Sequence, residues 1–394
     1  MYVSHQLSSP PIEGHHVASK RIVEAAILAG IKVNVATVEK DGDTTKTPEN
    51  WRIIRFESKP QRQIPFAQPV LSVADEFLSS LSIARHAKSS NSDLIHVLNV
   101  NKEAYLAAHV LTRSRKPLLL HFYHSPYVLT DDVFLLRNLA FRLGLYGRML
   151  NNYALTVNTS LMKFLVEKMG ADPERVKWVP YPIDTNCFKP TNTKEELRKK
   201  HCLPSERPIV AYVGSLHPAR GLSTLISSFV KVLAQFPETL LLVSHPSHQS
   251  EKTNEQCLRT QIQSLGLKGN VLVKGPSEHV EEIYNLADVV VLPFQRPYWV
   301  DPPLVLLEAM SSGASVVTTS VGAIGDVVRN RENAVVAKTG SREDLADAIV
   351  GILESPNESV KMARIARETV VRDYSYEAVG KKLLALYEFA LRKN

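Results

Sequence analysis

Cysteine is scarce in this chain of 394 residues: Cys187, Cys202 and Cys257 are widely spaced and contain no CxxC pair. A disulfide framework and a thiolate zinc site are therefore excluded, and buried or inert thiols are expected. Aromatic residues make up 7% and are not interleaved with basic ones along a sheet pattern. No RNA- or DNA-reading motif is present either, so no nucleic-acid partner is expected. No run approaches the roughly 18 consecutive apolar residues that a membrane-spanning helix needs. The opening MYVSHQLSSPP lacks the basic region and long apolar core of a signal peptide, and a cytoplasmic location is expected. Neither GxGxxG nor GxxxxGK[ST] follows a strand-like stretch, which argues against a dinucleotide and against ATP hydrolysis. No cofactor and no metal is expected. The one Asp-x-Asp, at Asp41 and Asp43, sits in the polar stretch EKDGDTTKT and reads as a solvated loop.

What is present is ordinary globular composition, 44% apolar and 22% charged, with a net charge of +7. The length suits two domains. A mild basic excess favours anionic lipid head groups or nucleotide phosphates, and equally serves solubility alone.

Strand-like and helix-like stretches alternate along the chain. In the first half, strands are expected at Tyr2–Ser4, Ile31–Val38, Trp51–Phe56 (a hairpin or edge strand), Leu94–Val100, Pro117–Tyr123, Ala154–Val157 and Val176–Pro180. Helices are expected at His15–Leu28, Val70–Ala87, Glu103–Leu111, Val133–Leu150 and Leu161–Met169. The proline-bearing, polar segment Tyr181–Glu206 reads as an inter-domain linker with a short helix. A second strand–helix series starts at Pro208–Val213 and ends in helices at Ala363–Tyr374 and Ala378–Leu391. Strands separated by helices of this length imply parallel βαβ units covered on both faces. The expected fold is α/β, two Rossmann-like domains facing a central cleft. The expected boundaries are 1–188, completed by a C-terminal helix over 375–394, and 189–374.

Four places suit ligand chemistry at the carboxyl ends of such sheets. The stretch WVDPPLVLLEAM follows a buried-looking strand. Asp301 is a good N-cap, Pro302 suits the first helical position, and Leu304, Leu307 and Met310 recur at helical spacing. Free amides near Leu304 and Val305 at the positive end of the helix dipole suit a diphosphate. Glu308, about two turns in, would reach the hydroxyls of a sugar, or else be an ordinary salt-bridged carboxylate of a core helix. In the early turn PPIEGHH, Gly14 would allow close backbone approach to a phosphate or sugar. In VGSLHPARG, Arg220 stands where a helix begins and would clamp a diphosphate, or else be a solvated surface cation. His121, at the end of a strongly apolar strand, would face a ligand or be a hydrogen-bonded structural group.

Taken together these stretches resemble family 4 of the GT-B glycosyltransferases, retaining enzymes that use nucleotide-activated sugars. EGHHVASKRIVEAAILAGIKVNVAT is similar to the family's glycine loop, first helix and second strand. VGSLHPARG resembles its diphosphate turn, and ADVVVLPF followed by DPPLVLLEAMSSG its signature loop and helix. VGAIGDVVRNRENAVVAKTG and DYSYEAVGKKLLALYEFAL are similar to the sugar-side turn and the closing helices. The resemblance implies that Glu308 holds the ribose hydroxyls and Arg220 the diphosphate, where a Lys is usual. It also implies that the amides near Leu304 and Val305 meet the diphosphate, that Gly14 approaches the donor phosphate, and that His121 lies near the transferred sugar. Two positions depart from the family pattern. The first Glu of its Glu-x7-Glu motif falls on Val300, with Asp301 one place on, and an expected Arg falls on Ser215. Asp301 is then expected to take over a sugar-hydroxyl contact, and Arg220 alone to bear the phosphate charge.

The function implied is retaining transfer of a hexose from a UDP or GDP sugar to a glycan or lipid-linked acceptor. A nucleotide-sugar 2-epimerase on the same plan and a non-catalytic nucleotide-sugar binder stand as alternatives. Residues 133–150 are apolar with Arg137, Arg142 and Arg148 interspersed, which suits either a helix lying on an anionic membrane or a buried helix with snorkelling arginines. Peripheral association with the cytoplasmic face of a membrane is expected on the first of these.

Overall fold

The computed structural model describes residues 2–3, 14–39, 52–57, 81–99, 111, 115–123, 152–245, 252–297 and 301–392. Asp41–Asp43, Val300, the 133–150 stretch, the 70–80 part of one expected helix and the 103–110 part of another lie outside them. The chain divides into two compact units, Met1–Pro182 with Tyr376–Asn394, and Ile183–Ser375.

The first unit is built on a seven-stranded sheet in the order β3-β2-β1-β4-β5-β6-β7. Its strands are β1 (Tyr2–Val3), β2 (Asn34–Glu39), β3 (Arg52–Glu57), β4 (Ile95–Val97), β5 (Leu118–Phe122), β6 (Tyr153–Thr156) and β7 (Val176–Trp178). Every pairing is parallel. β3 is thus an edge strand running alongside β2 rather than half of a hairpin. The run LLLHF in β5 is buried throughout, because a strand of a parallel sheet is covered on both faces. The helix Gly14–Leu28 packs on the C-terminal helix Tyr376–Arg392. That last helix buries Val379, Leu383, Leu386, Tyr387 and Ala390, the apolar stripe legible in its sequence, while Leu384 is partly exposed.

The second unit has a six-stranded parallel sheet in the order β10-β9-β8-β11-β12-β13. Its strands are β8 (Ile209–Val213), β9 (Leu240–Ser244), β10 (Val271–Lys274), β11 (Val289–Leu292), β12 (Val316–Thr319) and β13 (Val335–Ala337). Val210, Tyr212, Leu241, Val243, Val289, Val291 and Val317 join Leu225, Phe229, Leu345 and Ile349 from the flanking helices in one buried core. Burying side chains of this size contributes roughly 1.5 to 3 kcal/mol each.

The polar segment expected to be a linker is instead folded onto this second unit. Its helix, Lys194–Lys200, carries Arg198, which is only 6% exposed. The guanidinium donates to the carbonyls of Leu286 (3.1 Å) and Ser205 (2.6 Å) and to Oδ2 of Asp288 (2.6 Å). Asp288 also accepts from the amide of Ile209 at the start of β8 and from Lys194, both at 2.6 Å. Hydrophobic periodicity could not reveal this, since the segment is anchored by a buried cation and not by an apolar face. Of the two expectations for the cysteines, burial does not hold: all three are exposed.

Asp288→Ala would leave Arg198 buried without its anionic partner, which destabilises by about 3 to 5 kcal/mol. Urea denaturation of wild type and variant, monitored in the second unit, measures this loss.

Candidate active site

In the second sheet the strand order reverses between β8 and β11, which are neighbours although β9 and β10 intervene in sequence. The loops leaving their carboxyl ends diverge there, and such a crevice is where open α/β sheets bind ligands. The loop after β8 runs through Gly214 and Ser215 into a single 3-10 turn, Pro218–Arg220, capped by the side chain of His217. Gly221 closes the turn with φ +77°, and a Cβ there would fall inside the van der Waals envelope of the Pro293 carbonyl oxygen after β11. The amide of Gln295 completes the seam by donating to Ala219 O at 2.8 Å. Arg220 is half-buried by this arrangement, its guanidinium carbon 5.3 Å from the ring centroid of Phe294. A cation stacked on an aromatic face loses little of its reach and much of its freedom.

Ser215, standing where an Arg was expected, has a buried Oγ with no hydrogen-bond partner among the described residues. Its carbonyl accepts from the Tyr212 hydroxyl at 2.6 Å.

The helix after β11 is Leu304–Ser311, and it begins two residues later than an Asp301 cap would place it. Pro303 holds the N-cap position and contributes no side-chain hydrogen bond. The amides of Leu304 and Val305 therefore lie in the first turn, where no i−4 carbonyl is available to them. Leu304 is 7% exposed and Val305 intermediate. Glu308 is one turn in rather than two, 7% exposed, and its Oε2 accepts from the Tyr284 hydroxyl at 3.4 Å. Arg367 donates to the carbonyls of Ser311 and Phe188, a cation at the carbonyl end of this helix.

Asp301 turns its carboxylate to a different segment. Both oxygens accept from the amide of Ala323, at 2.8 and 2.9 Å. Gly322 allows this approach, since a Cβ on it would lie 2.5 Å from Oδ2. Burial pushes the Asp301 carboxyl up to about 6, with Asp326 adding to the rise and the Ala323 amide opposing it.

In the first unit, Gly14 opens the helix that follows β1. His121 lies in β5 and is fully buried. Its Nε2 donates to Val179 O at 2.9 Å, which leaves Nδ1 as an acceptor, and Nδ1 has no partner among the described residues. Burial lowers its pKa to about 3, so the ring is neutral. His96 stacks on it with centroids 5.3 Å apart and is held by Tyr387 Oη, 2.6 Å from Nδ1.

The structure thus brings Arg220 and the loop after β11 together in the second unit, with Asp301, Leu304, Val305 and Glu308 following along that same loop and helix. Gly14 and His121 stand at strand-to-helix and strand-end positions of the first. Sequence reading passed over Phe294 and Tyr284. The first was visible as the aromatic closing VLPF; the second was hidden in EEIYNL, where a Tyr at helical spacing reads as core.

Comparison with known proteins gives a consistent picture. Residues 193–369 match the family described as "Glycosyl transferases group 1". The chain is 25% identical over 381 residues to a D-inositol 3-phosphate glycosyltransferase of Corynebacterium glutamicum, covering 92% of this chain and 88% of that one. Among solved structures it is similar to Alr3699/HepE of Anabaena in complex with UDP, with TM-score 0.79, 16% identity, and 98% and 99% of the two chains covered. It is also similar to the sucrose-phosphate synthase of Thermosynechococcus elongatus, with TM-score 0.78, 21% identity, and 100% and 99% covered.

Asp301 supplies a pH test. Its folded pKa, about 6, lies above the unfolded value of 3.8, so the folded state binds the proton more tightly. The contribution to stability is complete below pH 3.8 and is lost as pH rises through 6. Relative to Asp301→Asn, wild type should therefore lose stability between pH 4 and pH 6.5, read from urea midpoints of the two proteins at each pH.

Proposed function

We propose that this chain is a group 1 glycosyltransferase of GT-B architecture that transfers a hexose with retention from a UDP or GDP sugar to a glycan or lipid-linked acceptor. The observation that carries the proposal is in the second unit. A seam between the loops after β8 and β11 fixes Arg220 over Phe294, and the loop from β11 leads into a helix mouth and the buried Glu308.

A nucleoside diphosphate sugar carries two features to recognise, a diphosphate and a ribose. Arg220 and the first-turn amides at Leu304 and Val305 supply positive charge that is already oriented before the reaction begins. Charge so placed stabilises the diphosphate most when it departs, which favours the transition state over the bound donor. Glu308 accepts from the ribose hydroxyls. Gly14 lets the backbone of the first unit approach the donor phosphate, while the fully buried ring of His121 makes no direct contact with the transferred sugar. Asp301 stands near the sugar as a further hydroxyl acceptor, with the Ala323 amide holding its plane.

The bond from the anomeric carbon to the phosphate oxygen breaks while the bond to the acceptor oxygen forms on the same face. The acceptor's proton passes to the departing phosphate. No side-chain nucleophile is assigned. The UDP in the Anabaena structure and the inositol 3-phosphate in the name of the Corynebacterium relative support a nucleotide-sugar donor and a polyol or sugar acceptor. The 193–369 match favours transfer over the 2-epimerase and over binding alone.

Among the described residues no helix is long and apolar enough to cross a membrane. Peripheral contact is proposed for the 133–150 stretch, through its arginines and apolar residues. Flotation with vesicles of phosphatidylglycerol and phosphatidylcholine should carry the protein upward. Equal behaviour with neutral vesicles alone would remove the electrostatic part of this proposal.

Incubation with UDP-, GDP- and ADP-hexoses should give slow hydrolysis of one donor. Arg220→Ala should lower that rate by about 100-fold, the magnitude of removing one preorganised charge from a leaving group. Binding of a donor with no turnover by wild type in the presence of any sugar or polyol acceptor would overturn the enzymatic reading. Unchanged turnover in both Arg220→Ala and Asp301→Ala would overturn the assignment of the site.

A further inference from the structure

Glu308 is reached from one direction by a group with no assigned role. Tyr284 lies on the helix Val280–Leu286 that precedes β11, and Glu308 lies on the helix that follows it. The tyrosine is 1% exposed, and its hydroxyl donates to Oε2 of Glu308 at 3.4 Å. A buried hydroxyl of this kind needs a partner, and a buried carboxylate needs donors to remain charged.

The ring of Tyr284 is itself restrained. Phe188 packs against it with centroids 6.2 Å apart. The backbone at Phe188 is pinned in turn by Ser311 Oγ at 2.6 Å and by Arg367 at 3.0 Å, both donating to its carbonyl. Ser311 ends the very helix on which Glu308 sits, so the tyrosine and the carboxylate are referenced to one rigid element.

We infer that Tyr284 is a positioning residue for ribose recognition: its hydroxyl holds one oxygen of Glu308 and so sets the plane of the carboxylate that receives the donor's ribose diol. This rests on the reading of Glu308 as the ribose contact. A vicinal diol presents two hydroxyls in a fixed relation, and only a carboxylate of fixed orientation can accept from it selectively. Tyr284 touches neither the sugar nor the diphosphate. Its removal changes discrimination between ribose and deoxyribose, and leaves the diphosphate contribution intact.

The test is calorimetric titration of the full chain with UDP, GDP and ADP and with the 2′-deoxy form of whichever binds. Wild type should prefer the ribo form by roughly tenfold or more, the effect of one hydrogen bond to a charged group. Glu308→Gln should abolish most of that preference. Tyr284→Phe, which keeps the ring, should cut the preference by about threefold or more while the protein stays folded at the temperature of the titration. In the Glu308→Gln background it should change nothing further.

If none of the nucleotides binds, or wild type does not prefer ribose, the ribose reading of Glu308 fails and the inference falls with it. If wild type and Glu308→Gln behave as stated and Tyr284→Phe keeps the full preference, the ribose reading stands and the role of Tyr284 is overturned. An equal loss from Tyr284→Phe in the wild-type and Glu308→Gln backgrounds also overturns it, since the tyrosine would then act elsewhere.

Discussion

The close approach of Gly221 to the carbonyl of Pro293 is the constraint on which the second unit's site depends. Two parallel strands that are neighbours in the sheet but distant in sequence send their loops apart, and one backbone contact stitches those loops together again. The stitch has no room for a side chain. It fixes the 3-10 turn beside the end of β11, and with it the height of Arg220 above Phe294. An arginine on a free loop would lose several rotors' worth of entropy on meeting an anion; one already stacked loses much less.

The two units treat their polar groups differently. In the second, Arg198 and Asp288 form a clamp in which each ion is held by several partners. In the first, the described interior holds two stacked imidazoles, both kept neutral by burial. A neutral ring with one nitrogen committed to a backbone carbonyl presents its other nitrogen as a lone-pair acceptor only.

Much of the strand and helix order was legible in the sequence, because strands buried on both faces read as unbroken Val, Ile and Leu runs and the helices carry apolar stripes. LLLHF, IVAYV and VVVL each became a buried strand. Arg220 and Glu308 lie on the loop and the helix that follow such runs, although Glu308 is one turn into its helix rather than two. Capping was less legible. Asp301 has the chemistry of an N-cap, but the amide of Ala323 competed for it and Pro303 took the cap instead. The 181–206 segment was misjudged for a related reason: a polar stretch looks loose until its one buried cation finds a carboxylate ninety residues away. Phe294 and Tyr284 illustrate a third limit, as an aromatic that steadies a functional group has the same spacing as one that fills a core.

The path of the chain has a consequence for how the protein comes into being. It leaves the first unit at Pro182, builds the whole of the second, and returns at Tyr376 to supply the helix that covers Gly14–Leu28 and places Tyr387 against His96. The outgoing and returning segments lie side by side, Ile183 donating to Tyr374 O at 2.7 Å. During synthesis the later-made unit is therefore the first to have all its parts outside the ribosome, and the earlier-made one lacks the partner of its helix Gly14–Leu28 until Tyr376–Arg392 emerges.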